Sequence, residues 1–114
     1  MPMRLSEILL VTDCDGTLLQ DDKTIAPEDL AAIRAFREAG GNFTVATGRS
    51  IPTGAQVLRQ LELTLPCVLY NGSMLYDPAG EEILWMEEIP FGARFLVKEA
   101  MKTFGETVGV EVLT

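Results

Sequence analysis

Short apolar runs alternate with amphipathic stretches along the whole chain, and each is closed by glycine, proline or acidic residues. Ile8, Leu9, Leu10 and Val11 are too few for a helix and are bounded by turn chemistry, so they predict a buried strand. Pro27 suits a first helical position, with Glu28 and Asp29 at the positive end of the helix dipole. Leu30, Ile33 and Phe36 then recur at three-residue steps until Gly40 and Gly41 end a helix of about three turns. Residues 42–46 (Asn-Phe-Thr-Val-Ala) predict a second strand. Pro52 opens a second helix through Val57, Leu58 and Leu61, and residues 67–70 (Cys-Val-Leu-Tyr) predict a third strand. Met74, Leu75 and Tyr76, a turn over residues 77–80, and residues 83–86 read as a β-hairpin. Pro90 introduces a helix with Ala93, Val97, Ala100, Met101 and Phe104 along one face. Gly105 to Gly109 breaks it, and residues 110–113 alternate like a strand.

Three strands separated by two helices predict an α/β fold with a Rossmann-like parallel three-stranded βαβαβ core, followed by the hairpin. Ligands of such sheets sit at the carboxyl ends of the strands. Asp13, Thr47 and Asn71 all fall there. The first strand stops on Asp13, Cys14, Asp15 and Gly16. Gly16 lets the chain turn, so the two carboxylates splay around one small site. Two crowded acids repel, and a cation between them removes that cost; oxygen ligands are what Mg²⁺ prefers. Thr47, Gly48, Arg49 and Ser50 lie between a strand and a helix start, where backbone N–H groups and a hydroxyl can converge on an anion.

Composition narrows the partners. At 114 residues the chain suits one small domain, and 47% apolar residues suffice for a core. A net charge of −8 argues against a nucleic-acid backbone or an anionic membrane, though not against a phosphorylated small molecule beside a bound cation. With no histidine, His triads and His metal sites are excluded. No apolar run nears the roughly 20 residues of a spanning helix. Two cysteines without CxxC spacing and no signal-peptide pattern predict free thiols and a cytoplasmic setting.

Several residues have plainer readings. Asp21 and Asp22 suit a solvated turn, and Arg34 and Arg37 a polar helix face. Cys14 points away from the acids as a small buried residue, and Cys67 is a core thiol. Gly48 serves either the turn or a phosphate-binding amide. Arg49 steers substrate or braces the loop. Asn71 lines the pocket or, as the favoured reading, only makes an Asn-Gly turn. Trp85, Phe91, Phe95 and Phe104 are expected to be buried.

Asp13-x-Asp15-Gly16-Thr17, then Thr47-Gly48-Arg49, then Tyr70-Asn71-Gly72 with its hairpin, together resemble the haloacid dehalogenase superfamily. The closest likeness is to its Cof-type subclass IIB sugar-phosphate phosphatases. The resemblance implies Asp13 as nucleophile, forming an aspartyl phosphate, and Asp15 as general acid and base. It implies Mg²⁺ on the Asp13 side chain and the Asp15 carbonyl, and phosphate on Thr47 and Gly48, with Arg49 and Asn71 nearby. Residues 1–86 then form a partial core with the hairpin, and 87–114 the beginning of an α/β cap. Such proteins are longer, and their later lysine and Gly-Asp-x-x-Asn-Asp motif have no counterpart among Lys98, Lys102, Glu106 or Glu111. The resemblance thus implies an N-terminal portion of a phosphatase for a small phosphorylated metabolite, inactive alone. Its first strand forms a bare edge prone to self-association. The alternative is a non-catalytic remnant that binds a cation or a partner protein through that edge.

Overall fold

The computed structural model describes residues 2–107; the alternating stretch at 110–113 lies outside them. Strand β1 (Leu9–Thr12) runs parallel to β2 (Asn42–Val45), with Leu9 opposite Asn42 and Thr12 opposite Val45. Helix α1 (Pro27–Glu38) connects them, packing Ile33 inward with Leu30 and Phe36 partly buried beside it. It ends as its double glycine predicts. Gly40 takes φ 104°, and the Gly41 N–H reaches the Phe36 carbonyl at 2.9 Å, closing the helix against the Phe36 ring.

The expected three-stranded parallel core is seen in part, with β1 and β2 as its continuous parallel ladder. Strand β3 (Cys67–Leu69) meets β2 at one parallel bridge, Ala46 to Val68, with the Thr47 N–H donating to the Val68 carbonyl at 2.9 Å. Pro66 has no N–H to extend that ladder, and its carbonyl is taken by the Thr44 hydroxyl at 2.7 Å. The full ladder of β3 is antiparallel, to β4 (Met74–Asp77), which pairs in turn with β5 (Glu82–Met86). A register shift near Leu75 and Tyr76 leaves Leu84 as the extra residue of a bulge.

Helix α2 (Ile51–Leu61) presents Gly54, Val57, Leu58 and Leu61 inward at helical spacing. They pack into a core whose most enclosed side chains are Leu69, Val45, Cys14 and Cys67. Each large apolar side chain removed from water contributes about 1.5–3 kcal/mol. Arg37 is not the solvated charge its helix face suggested. Its guanidinium donates to the Leu61 and Glu62 carbonyls at 2.6 and 2.8 Å, satisfying the carboxyl end of α2 where Glu62 turns left-handed. The partner lies 24 residues away, so local pattern carries no sign of it.

The expected burial of the aromatic residues is also corrected. Trp85 on β5 is half-exposed, and Phe91, Phe95 and Phe104 are 86%, 67% and 55% exposed. Helix α3 (Ala93–Phe104) buries none of its residues, because no second layer among the described residues covers its apolar face. Strand β1 is similar: among the described residues it pairs on one side only, leaving Leu9, Leu10 and Val11 about half-exposed. No helix in the described residues is long and apolar enough to cross a membrane.

Candidate active site

The acidic turn grows directly from the end of β1. Asp13 stays extended, and its Oδ1 accepts the Cys14 N–H at 2.8 Å. Asp15 is still extended in ψ, then Gly16 turns left-handed at φ 78°. The Leu19 N–H closes the turn on the Cys14 carbonyl at 2.9 Å. Cys14 and Leu18 anchor this turn in the core, which frees the acids between and before them to face solvent.

The two acids do not share one environment. Asp13 has one oxygen tied to the Cys14 amide, and its Oδ2 accepts no hydrogen bond among the described residues. Asp15 is gripped by Arg49, whose Nε and Nη2 donate to Oδ2 and Oδ1 at 2.8 Å each, and by Lys23, whose Nζ lies 3.1 Å from Oδ1. The Arg49 guanidinium first, then the Lys23 ammonium, hold the Asp15 carboxyl well below its ordinary value of 3.8. Arg49 thus braces the acidic turn, and its Nη1 also donates to the Thr53 carbonyl at 2.7 Å.

Lys23 is the site residue that the sequence reading missed. It enters on a tight loop in which its N–H meets the Gln20 carbonyl and the Gln20 N–H meets the Thr24 carbonyl. Asp22 stiffens that loop by accepting from the Thr24 amide and hydroxyl, so Asp22 is the turn residue expected of it. Lys23 itself is left-handed, φ 67°, and that conformation aims it at Asp15. The one available signal is a lysine in a short loop beside the acidic turn.

The folded Asp15 carboxyl binds protons more weakly than the unfolded one. Its pairing therefore stabilises the fold above the ordinary carboxylate range, and the contribution is lost as pH falls through the depressed value. The expected result is an Asp15 carboxyl NMR titration displaced below 3.8, moving back upward in Arg49→Gln. A normal titration in the unsubstituted chain would contradict the pairing.

Between β2 and α2 the Thr47–Ile51 loop has its polar groups assigned almost completely. The Thr47 hydroxyl accepts the Arg49 N–H at 3.1 Å and faces the Cys14 thiol with its own proton. Ser50 and Thr53 cap one another, Ser50 Oγ accepting the Thr53 N–H and Thr53 Oγ1 accepting the Ser50 N–H. The Ile51 N–H donates to the Tyr70 hydroxyl at 3.3 Å, and Pro52 has none. The expectation that several helix-start amides converge on an anion is therefore narrowed. Among the described residues, the Gly48 N–H is the one amide of this loop without a protein acceptor.

Gly48 is fixed by close approach: a Cβ there would lie 2.6 Å from Asn71 Oδ1. Asn71, left-handed at φ 55° after β3, donates its N–H to the Thr47 carbonyl at 3.1 Å. It is both the turn residue and a wall of the site. Asp13, Asp15, Thr47, Gly48, Arg49 and Asn71, with Ser50 and Thr53, line one open cleft of about 430 Å³. That volume lies in the range of small-ligand sites. Cys14 is excluded from the chemistry: burial pushes its thiol up, partly opposed by the Thr47 hydroxyl. Burial likewise pushes Cys67 up to about 11.

The oxygen donors suit a hard cation. Among the described residues no three ligating side chains converge, and the Asp15 carboxylate is committed to Arg49 and Lys23. Asp13 Oδ2 and the Asp15 main-chain carbonyl remain as the protein's donors. Mg²⁺ fits so sparse a set, because it keeps several waters and shares phosphate oxygens with one or two carboxylates.

Residues 10–112 match the family model for haloacid dehalogenase-like hydrolases. The 5-amino-6-(5-phospho-D-ribitylamino)uracil phosphatase YitU of Bacillus subtilis is 37% identical over 76 residues, covering 67% of this chain and 28% of its own length. The pyridoxal phosphate phosphatase YbhA of Escherichia coli is 33% identical, over 72% of this chain and 30% of its own. The chain thus spans under a third of the length of these relatives. A crystal structure of a haloacid dehalogenase-like hydrolase from Bacteroides thetaiotaomicron superposes with a TM-score of 0.74 at 23% identity, covering 85% of this chain and 38% of that one.

Proposed function

The chain belongs to the haloacid dehalogenase-like hydrolase family, and on that premise we propose that the whole protein hydrolyses phosphate monoesters of small metabolites through an aspartyl phosphate on Asp13. One observation carries the reading. An Asp13 oxygen without a protein donor shares a cleft with the Thr47 hydroxyl and the uncommitted Gly48 N–H. A nucleophile and two donors for phosphoryl oxygens are thereby gathered in one cleft.

Asp13 attacks phosphorus while the bond to the leaving alcohol breaks. Asp15, protonated for this step, gives its proton to the departing oxygen. Water then attacks the acyl phosphate, Asp15 takes the water proton, and Asp13 is released with inorganic phosphate. Asp15 is held ionised by Arg49 and Lys23, so it must change partners first. An incoming phosphate dianion competes for those cations and frees it. Mg²⁺ on Asp13 and the Asp15 carbonyl would supply further neutralisation of the transferring oxygens. Thr47 and Gly48 orient the phosphoryl group.

Residues 1–86 serve as the partial core, and 87–114 as the start of a cap that selects the substrate; the uncovered apolar face of α3 supports that division. The test is hydrolysis of a generic aryl phosphate with Mg²⁺ by the whole protein. Turnover that depends on Asp13 supports the reading, and no turnover leaves the non-catalytic one. The 114 residues alone are expected to show little activity.

A second reading rests on β1, with its open edge and half-exposed Leu9, Leu10 and Val11. The chain associates with itself through this edge. Light scattering is expected to show a dimer or larger species, shifted toward monomer by Leu10→Lys. A strict monomer at high concentration would contradict the association.

A further inference from the structure

We propose that Tyr70 is a positioning residue that sets the shape of the Thr47–Ile51 loop and closes the amino end of α2 against the anion. The proposal rests on the phosphate-site reading above and assigns a role to a residue outside it. Tyr70, Asn71 and Gly72 are three consecutive residues at positive φ, 51°, 55° and 95°. For a bulky aromatic residue that conformation is an outlier, kept only where the surroundings determine it. The surroundings here are the loop itself. The Tyr70 N–H donates to the Arg49 carbonyl at 3.1 Å, and the next amide, of Asn71, donates to the Thr47 carbonyl at 3.1 Å. Behind the turn, the Ser73 N–H and hydroxyl both donate to the Tyr70 carbonyl, at 3.2 and 2.8 Å.

The ring then spans from the strand end to the helix start. Its hydroxyl accepts the Ile51 N–H at 3.3 Å, while its face packs partly buried on the core. Backbone amides could come from any residue, but only a hydroxyl on a rigid ring satisfies the Ile51 donor from that position. Without it, the Ile51 N–H is an unpaired donor at the positive end of α2 and competes for phosphate with the Gly48 N–H. With it, Gly48 keeps the loop's one uncommitted N–H, and the anion is directed toward Asp13.

The test uses the ¹⁵N-labelled chain with inorganic phosphate and Mg²⁺ as probes, comparing Tyr70→Phe with the unsubstituted sequence. Amide exchange at Ile51 is expected to quicken about tenfold, the loss of one hydrogen bond. The Gly48 amide shift at phosphate saturation is expected to shrink, as the anion divides between the Gly48 and Ile51 amides. The Mg²⁺ affinity stays unchanged and the thermal midpoint falls only by the roughly 4–8 °C that one hydrogen bond is worth, whereas a merely structural role would leave the Gly48 phosphate shift unmoved. A phosphate shift at Gly48 that Tyr70→Phe leaves untouched overturns the positioning role alone, as does unchanged Ile51 exchange. No Gly48 shift in the unsubstituted chain overturns the phosphate-site reading together with it.

Discussion

Asp13→Asn is expected to lower turnover of an aryl phosphate by the whole protein by on the order of 10⁴-fold or more, the scale seen when a covalent nucleophile is removed. The substitution is nearly isosteric. Its carbonyl oxygen can still accept the Cys14 N–H that holds Oδ1 at 2.8 Å, so the turn after β1 keeps its shape. What disappears is the charged oxygen that attacks phosphorus and would hold Mg²⁺. The thermal midpoint is therefore expected to move little, because Asp13 is not part of the core and pairs with no cation among the described residues. Turnover within tenfold of the unsubstituted protein would remove Asp13 from the chemistry.

The largest effect on stability is expected at Leu69. This side chain is fully enclosed, at 0% exposure, on the short strand that joins the parallel and antiparallel ladders. Leu69→Ala leaves a cavity that the surrounding core cannot easily collapse, and a loss of about 2–5 kcal/mol is expected. Against a total of about 5–15 kcal/mol for a domain of this size, that is a large share. The midpoint of thermal unfolding should fall by roughly 4–8 °C for each kcal/mol lost. Leu9→Ala is the control. Leu9 is 57% exposed on the open edge of β1, and at dilutions where the chain is monomeric its replacement is expected to change stability by about 0.5 kcal/mol or less. Urea unfolding of both variants checks the contrast, and equal losses would contradict the placement of the core. Leu69 also precedes the Tyr70–Gly72 turn, so its truncation should raise the KM for phosphate esters in the whole protein.

The features legible in the sequence are those written locally. Apolar runs, the proline at the start of α1 and the double glycine after it carry their own backbone preferences, so the order of strands and helices follows from short windows. The same windows end on Asp13, Thr47 and Asn71, which is why the cleft could be located before its geometry was known. What depends on contacts between distant segments was not legible. Arg49 reaches Asp15 across 34 residues, and Arg37 reaches Leu61 across 24. Lys23 enters the site through a left-handed backbone that its residue type does not announce. The pairing of β3 turns on Pro66 and on the Thr44 hydroxyl that takes the Pro66 carbonyl, a competition no period reveals. Hydrophobic pattern also names a face without saying what covers it, and Trp85, Phe91, Phe95 and Phe104 show the difference.

The phosphoryl group is expected to pass through Asp13 on its way to water. The most direct test is to mix the whole protein with an aryl phosphate and Mg²⁺, quench with acid during turnover, and map covalent phosphate by peptide mass. The expected result is a phosphorylated peptide whose modified residue is Asp13, lost in Asp13→Asn and discharged by hydroxylamine. Continued release of inorganic phosphate with Asp13 unmodified, or with the label on another residue, would contradict the account.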